Sequence, residues 1–268
     1  MTGRTRVITL LTDFGEQDHY VAAMKGVMLG INPNLQFIDI THQIPAQDIQ
    51  SAAFTLGQVY SYFPFGTIHL AIVDPGVGTS RKALAARAGE YYFIAPDNGI
   101  LSYVFEREEE QRVHAVEADH YFRKPVSPTF HGRDIFAPVA AWLSREVGMD
   151  QFGPLYEKPL RLPIPRLSRV RENLIQAAVV AVDRFGNLIT NLTPADVPAY
   201  LTETTRSCKI LVAQREITSF RRTFAEGNPG ELFVVPGSTG YIEIVVRNGS
   251  AAATLNLAPG AMVGLVLG

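Results

Sequence analysis

The stretch TIHLAIVD, residues 67–74, is apolar at most positions and ends in an acid. A strand with one solvated face alternates apolar and polar side chains, whereas a strand buried on both faces of a parallel sheet reads as a nearly continuous apolar run. Parallel neighbours must be joined by long crossover connections, which are usually helices. This segment therefore predicts a sheet that is covered by helices.

The preceding segments supply the other elements of such a fold. Strand-like runs occupy residues 7–11 and 35–41, and residues 20–31 and 48–63 carry apolar side chains at helical spacing. The resulting order β-α-β-α-β predicts an open, mostly parallel α/β sheet with helices on both faces. A further helix is expected to begin near Gly132, where Pro138 falls close enough to its start to be tolerated.

The pattern changes after residue 153, where prolines become frequent and helical periodicity disappears. We predict an α/β domain at 1–153, a proline-stiffened linker at 154–170 and an all-β, barrel-like domain at 171–268. The runs interpreted as strands of the second domain are LIQAAVVAV, NLITNL, KILVA, LFVVPG, YIEIVV, AAATLNL and MVGLVL.

Charge and composition argue against several classes of partner. The formal net charge of −2 offers no broad basic field for nucleic acid or an anionic membrane. No run approaches the roughly 18 apolar residues that span a bilayer, and VITLL is too short for a secretory signal. The single cysteine, Cys208, cannot form an internal disulfide and is expected to be a buried structural residue. These features predict a cytoplasmic protein.

Acids stand at the ends of predicted strands, where ligands of open α/β sheets bind. They are Asp13, Asp74 and Asp97. One such acid is as often a turn former as a site residue, but three on one sheet favour a site. The glycine-rich segment after Asp74, DPGVGTSR, lacks the spacing of a Walker loop or of a dinucleotide fingerprint and leads into a strand. It is therefore not interpreted as a phosphate loop.

His131, in TFHGRDIFAP, lies just before a predicted helix N-terminus, where the helix dipole favours the neutral ring. A lone histidine is more often structural than catalytic. The histidines are scattered, and neither a His-x-x-x-His pair nor a cysteine pair supports a metal site. The local pattern leaves the role of His131 open.

Two turns of the second domain also allow two interpretations. VDRFGNLITNL is either a plain hairpin turn or a base pocket, with Phe185 for stacking and Asn187 for hydrogen bonds. GSTGYIEI is either a turn entering a strand or a carboxylate site built on Ser238 and Thr239. Local chemistry does not separate these alternatives.

Taken together, LLTDFGEQDHYVAAMKGV, FIDITHQIPAQDI, AIVDPGVGTSR, APDNGIL, FHGRDIFAP, VDRFGNLITN and STGYIEIVVRNGSAA resemble the S-adenosyl-L-methionine hydroxide adenosyltransferases. This family is related to the fluorinating and chlorinating enzymes that use the same substrate. The resemblance implies attack of water or hydroxide on ribose C5′ of S-adenosylmethionine, which yields methionine and adenosine. It further implies a homotrimer with active sites between subunits and a reaction that needs no metal or cofactor.

The resemblance also assigns roles to individual residues. Asp74, Arg81 and His131 would bind and polarise the attacking water, with the proton acceptor left open between Asp74 and His131. Asp74 and Gln47 stand where the fluorinating enzyme has tyrosine and tryptophan, which favours hydrolysis over halogenation. The residues implied in substrate binding are Asp13 at the ribose hydroxyls, Asp18 and Tyr20 at further contacts, Asp183 and Ser238 at the methionine, Phe185 and Asn187 at the adenine, Val246 and Asn248 at the adenine edge, and Glu243 in the same strand.

Two other functions remain compatible with the residues. One is a metal-dependent nucleoside or nucleotide hydrolase that uses Asp13, Asp74, Asp97 and His131 as ligands. The other is a non-catalytic sensor of S-adenosylmethionine or adenosine, although a pure binding protein needs no water-activating set.

Overall fold

The computed structural model describes residues 6–200 and 207–268. The chain divides into two compact units, Met1–Pro163 and Ile164–Gly268. Within the described ranges, no helix is long and apolar enough to cross a membrane.

Among the described residues of the first unit, six strands form one mixed sheet in the order β2-β1-β3-β5-β4-β6. The neighbours from β2 to β5 pair in parallel, and β4 pairs antiparallel with both β5 and β6. The sheet is therefore mostly parallel, as predicted, with an antiparallel margin. The strands are β1 (Arg6–Thr12), β2 (Leu35–Thr41), β3 (Ile68–Ile72), β4 (Ala83–Ala88), β5 (Tyr91–Pro96) and β6 (Gln111–Ala115).

Helices connect these strands, and short capping signals define their ends. The Asp48 carboxylate accepts from the Ser51 amide at 2.9 Å and so caps the second helix. Pro138 lies in the first turn of the fourth helix, where no intrahelical bond is lost. The helices are α1 (Tyr20–Ile31), α2 (Ile49–Val59), α3 (Ser102–Arg107) and α4 (Ala137–Ser144), with a π-helical turn at Gly132–Phe136 and 3₁₀ turns at Tyr60–Tyr62, Asp119–Tyr121 and Met149–Gln151.

Strand β3 is fully buried and contributes side chains to the cores on both faces of the sheet. Leu70 belongs to a cluster with Met24 and Met28 of α1, whereas Ala71 belongs to a cluster with Leu56 of α2. Alternate residues point to opposite faces, so each face needs its own helical cover. The prediction of helices on both faces is confirmed.

The same strand carries a buried histidine. His69 is fully buried, its Nδ1 lies 2.7 Å from Thr9 Oγ1, and its Nε2 has no hydrogen-bond partner among the residues that the structure describes. Its ring stacks on Phe93. Burial lowers the pKa of His69 to about 3, so the ring is neutral in the folded protein near neutral pH.

This histidine is expected to make stability depend on pH. Because the unfolded chain binds the proton near pH 6.5 and the folded chain only near pH 3, stability falls as pH decreases between these values. Between pH 7.5 and 5 the loss from this group is at most about 2 kcal/mol. Urea unfolding of wild type and His69→Leu at both pH values measures it. The variant should be less stable at pH 7.5 but lose less on acidification; an equal loss in both proteins would contradict the assignment.

In the second unit, the described residues form an antiparallel sheet in the order β11-β10-β14-β8-β9-β13-β12, with β7 paired to β8. A bridge between Phe220, just after β11, and Val234 of β12 links the two edges. The sheet is thus a nearly closed barrel, as predicted. Its strands are β7 (Ser168–Arg171), β8 (Leu174–Val182), β9 (Leu188–Thr190), β10 (Cys208–Val212), β11 (Arg215–Ile217), β12 (Leu232–Pro236), β13 (Ile242–Val246) and β14 (Met262–Leu267), with 3₁₀ turns at Pro194–Asp196, Pro198–Tyr200 and Phe224–Glu226.

One predicted strand of this unit is wrong. AAATLNL forms a short helix, α5 (Ala251–Leu255), rather than a strand. The Ser250 hydroxyl accepts from the Ala253 amide at 3.0 Å, and Asn256 adopts a left-handed conformation that ends the helix. Alanines have high helix propensity, and Ala251 and Leu255 bury one face. Cys208 lies in β10, but it is half-buried rather than buried as expected. This partial burial raises the pKa of its thiol.

Candidate active site

The loop after β3 folds back on itself and pairs its first and last residues. The Val77 amide donates to the Asp74 carbonyl at 3.2 Å, and Gly78 has φ +79°, a conformation that favours glycine. Arg81 then donates from Nε to both Asp74 carboxylate oxygens at 3.0 Å, and from Nη2 to Oδ2. Both side chains are largely buried, so this is a desolvated ion pair.

The same loop lies directly against the segment that carries the histidine. A Cβ atom placed on Gly78 would lie 2.6 Å from the Pro128 carbonyl oxygen, which leaves no room for any side chain. Gly78 thus satisfies two requirements, a positive φ and a close backbone contact. The contact fixes the distance between the loop at 74–81 and the segment at 127–131.

His131 completes a three-residue set. Arg81 Nη2 lies 3.0 Å from His131 Nδ1. Because a guanidinium can only donate, Nδ1 must accept, and the neutral ring must carry its proton on Nε2. Burial and then the Arg81 charge lower the pKa of His131, which outweighs the opposing effect of Asp74. The ring is neutral, as the sequence predicted, but burial and Arg81 are the causes here.

Two residues of the set border a cavity of about 400 Å³ with an aromatic wall. Asp74 and His131 line it together with Tyr20, Phe14 and Phe130. The Phe130 ring meets Tyr20 and Phe14 edge-to-face, with centroids 5.1 and 6.1 Å apart. The structure therefore brings the predicted contact residue Tyr20 beside Asp74 and His131. Sequence reasoning missed Phe14 and Phe130, although each directly flanks a quoted motif residue.

The predicted acids near the end of β1 do not share this cavity wall. Asp13 Oδ2 accepts from the Gln47 amide at 2.8 Å, where Gln47 has φ +66°. Asp18 lines a separate cavity of about 440 Å³, together with Lys25 and Asp39. Asp18 is therefore not brought into the cavity that Asp74 and His131 border.

The third strand-end acid has a structural role. Asp97 accepts from the Tyr156 hydroxyl at 2.9 Å and from the Leu160 amide at 2.7 Å, so it fastens the proline-rich segment to the sheet. The next residue, Asn98, donates to the Val73 carbonyl at 2.8 Å. Among the three acids predicted at strand ends, Asp97 thus stabilises the packing of the proline-rich segment on the sheet.

The second unit has a larger cavity of about 690 Å³. All the binding residues predicted in this unit line it: Asp183, Phe185, Asn187, Ser238, Glu243, Val246 and Asn248. The structure therefore brings together residues that are more than 60 positions apart in the sequence. Sequence reasoning missed Phe224, which lines the same cavity and carries no local motif.

Asp183 organises the turn between β8 and β9. Its Oδ1 accepts from the amides of Phe185 and Asn187 at 2.9 and 2.8 Å, and its Oδ2 accepts from Asn187 Nδ2 at 2.8 Å. The backbone oxygen of Asn187 accepts from the Asp183 amide at 3.1 Å, whereas its side-chain Oδ1 accepts no hydrogen bond within the described part of the chain. Phe185 is 76% exposed, so its aromatic side chain is accessible at the cavity.

Glu243 adds a second carboxyl to this cavity. The side chain is buried against Gly237, where any added Cβ would lie 2.1 Å from Glu243 Oε1. Burial, and then the nearby Asp183, raise the pKa of Glu243. A cationic or hydrogen-bond-donating ligand would therefore stabilise the ionised form of this carboxyl.

Across residues 6–200 and 207–268, no group of three or more His, Cys, Asp or Glu side chains is arranged to hold a metal ion. The proposed metal set of Asp13, Asp74, Asp97 and His131 does not form such a group. All four members already accept hydrogen bonds from other groups. Asp13 accepts from the Gln47 amide, Asp74 and His131 accept from Arg81, and Asp97 accepts from Tyr156 and Leu160.

Each of the two units contains a cavity lined by candidate functional residues. The α/β unit supplies a buried Asp–Arg–His set beside an aromatic cavity, and the barrel unit supplies an exposed ring, an amide and two carboxyls in another. The profiles of the N-terminal and C-terminal domains of SAM hydroxide adenosyltransferases match residues 8–153 and 177–264. The chain belongs to this family.

Individual relatives agree over most of the chain. The (R)-S-adenosyl-L-methionine hydrolase of Salinispora tropica is 39% identical over 94% of this chain and 95% of its own length. The protein of the same name from Thermus thermophilus is 35% identical, with coverage of 97% and 100%. A crystal structure of an uncharacterized conserved protein from Thermotoga maritima superposes with a TM-score of 0.89 at 34% identity, covering 97% of this chain and 99% of that one.

Proposed function

We propose that the protein hydrolyses S-adenosyl-L-methionine to adenosine and L-methionine, by attack of water on ribose C5′. The observation that carries this proposal is the contact of one guanidinium, Arg81, with both Asp74 and His131 at the edge of a cavity. The names of the relatives from Salinispora tropica and Thermus thermophilus support the same substrate and reaction.

The reaction makes modest chemical demands. The water oxygen forms a bond to C5′ as the C5′–S bond breaks, and the bonding pair leaves with sulfur as the neutral thioether of methionine. One proton of the water is lost to a base. Because a sulfonium is already a good leaving group, the enzyme must mainly align the water, restrict bulk solvent and accept the proton.

We propose a different role for each of the three side chains, based on their hydrogen bonds. Arg81 has no acceptor, and the acceptor nitrogen of His131 is already occupied by Arg81. Arg81 also donates to both oxygens of Asp74, but these three bonds do not fill the roughly four acceptor sites of a carboxylate. We therefore assign the base to Asp74, which keeps an acceptor site for the water. His131 donates from Nε2 to the water oxygen, and Arg81 orients both partners and stabilises developing hydroxide.

The proposed substrate contacts, apart from Phe224, are those that the family resemblance implies, and the chemistry of the lining side chains is compatible with them. In this proposal Asp13 accepts from the ribose hydroxyls, and Tyr20 and Asp18 make further contacts in the α/β unit. In the barrel unit, Phe185 stacks on adenine, with Phe224 as a second ring, and Asn187 Oδ1 accepts from an exocyclic amino group. The remaining assignments are Asp183, Glu243 and Ser238 to the amino-acid part, and the backbone near Val246 and Asn248 to the adenine edge.

The proposal includes the assembly and the absence of a cofactor that the family resemblance implies. Three copies would form a trimer with active sites between subunits, and light scattering coupled to size exclusion measures that mass. Turnover that survives dialysis against chelator would support a metal-free reaction. Turnover that is lost in chelator and restored by a divalent ion would favour the metal-dependent alternative.

Turnover in ¹⁸O-water tests the reaction itself. The expected products are methionine and adenosine that carries ¹⁸O in its 5′-hydroxyl, because the new C5′–O bond takes its oxygen from water. Mass spectrometry of both products reads the result. Unlabelled adenosine would contradict attack at C5′, and folded protein that binds the substrate without consuming it would favour the sensor alternative.

A further inference from the structure

Next to the catalytic set lies a fully buried carboxylate that the proposed reaction does not use. Asp134 has no exposed side-chain surface and lies in the π-helical turn that follows His131. A buried carboxylate without partners is costly, so its hydrogen bonds indicate what it holds in place.

Asp134 gathers donors from three positions of the chain. Oδ1 accepts from Arg133 Nε at 2.7 Å and from Arg123 Nη1 at 3.1 Å. Oδ2 accepts from Arg133 Nη2 at 2.8 Å and from the Ser127 amide at 2.9 Å. The Asp134 carbonyl accepts from the Arg123 amide at 2.9 Å as well. The residue therefore closes the chain between 123 and 134 into a fixed loop.

That loop needs such a fixed point. Residues 122–130, all within the described part of the chain, belong to neither a helix nor a strand, so no regular hydrogen-bond ladder positions them. Yet Ser127, Thr129, Phe130 and His131 all line the cavity that Asp74 borders. Arg133, held by Asp134, also lies over the Phe130 ring at 5.1 Å.

We infer that Asp134 is a positioning residue for the reaction: by holding Ser127, Arg123 and Arg133, it fixes His131 at the distance from Arg81 and Asp74 that water activation requires. The inference rests on the proposed function. The pKa of Asp134 lies below its usual value, because hydrogen bonds from Arg133, Ser127 and Arg123 outweigh burial, so the residue is anionic when it holds these donors.

The test uses Asp134→Asn in the full-length protein. The asparagine side chain keeps one acceptor oxygen but has no negative charge. Its NH₂ group would face some of the N–H groups that donate to Asp134. We expect kcat to fall by about 10- to 100-fold with KM within about threefold, because a displacement near 1 Å can cost that much when alignment carries the rate. Asp119→Asn is the matched control, since Asp119 is exposed and, among the residues that the structure describes, its carboxylate forms an ion pair only with Lys124. It should keep the wild-type kcat.

A double variant separates positioning from general damage. In a His131→Ala background, Asp134→Asn should cost less than about threefold, since residues that act as a unit are not additive. A full multiplicative loss in that background, or wild-type kcat in the single variant, would overturn the inference.

Arg123→Ala removes one half-exposed partner of Asp134 and replaces Asp134→Asn if that protein does not fold. It should show a smaller loss of kcat with the same non-additivity. Wild-type protein that fails to hydrolyse S-adenosylmethionine would instead refute the proposed function.

Discussion

Asp74→Asn is expected to lower kcat for hydrolysis of S-adenosylmethionine by about 10²-fold or more, the range for loss of a general base. Asparagine can still accept one hydrogen bond from Arg81, but it cannot take a proton from water at neutral pH. Substrate binding should change little, because the assigned adenine contacts lie in the barrel unit. Steady-state kinetics and equilibrium binding of the substrate measure the two effects separately.

The control for this variant is another acid from the end of a neighbouring strand. Asp97→Asn should lower thermal stability, because Asp97 holds Tyr156 and Leu160, but it should leave kcat near that of wild type. Asp74→Asn should also be less stable than wild type, since it removes the charge that pairs with a largely buried Arg81. Circular dichroism should therefore confirm that each variant is folded at the temperature of the rate measurement. If Asp74→Asn kept the wild-type kcat, Asp74 would not be the base.

Two substitutions of His131 should differ from each other by about tenfold in kcat. His131→Gln can place an amide N–H near the position of Nε2, so it retains the proposed donor to water. His131→Asn places its amide near Nδ1, so it retains a partner for Arg81 but lacks the donor. We expect the Asn variant to lose about 10²-fold and the Gln variant about 10-fold, within the range for a positioned proton-bearing group.

The comparison discriminates between a donor and a base at this position. Neither amide can act as a base, so a basic His131 predicts equal, large losses in both variants. The Arg81 contact at Nδ1 predicts the graded result instead. Measurements should be made above pH 6.5, where a histidine with lowered pKa is neutral in the wild type.

Much of the fold was predictable from local patterns. The continuous apolar character of β3 correctly indicated a sheet with helices on both faces, and the short turn-bounded runs correctly indicated an antiparallel barrel. The error at α5 came from interpreting an alanine-rich segment by its position among strands. The N-cap serine before it and the asparagine after it were the stronger local signals.

The candidate site was predictable only in part. Motifs identified Asp183, Phe185 and Asn187, and these residues do share one cavity, because one short turn carries all three. They did not reveal Phe224, which lies in no motif. Asp134 does lie in the FHGRD motif beside His131, but the motif did not indicate that this carboxylate is buried or which groups donate to it. The motifs also grouped Asp97 with Asp74, since both follow strands, although their partners differ.

The sequence by itself determined the two architectures and the chemical types in the site, because periodicity, capping and turn formation act over a few residues. Only the tertiary structure decided which groups meet. Arg81 and His131 are 50 residues apart, and their hydrogen bond exists because Gly78 lets two loops approach closely. That contact occupies Nδ1 of the histidine and makes Nε2 the donor. Protonation state and hydrogen-bond direction depend on neighbours in space, which no local pattern records.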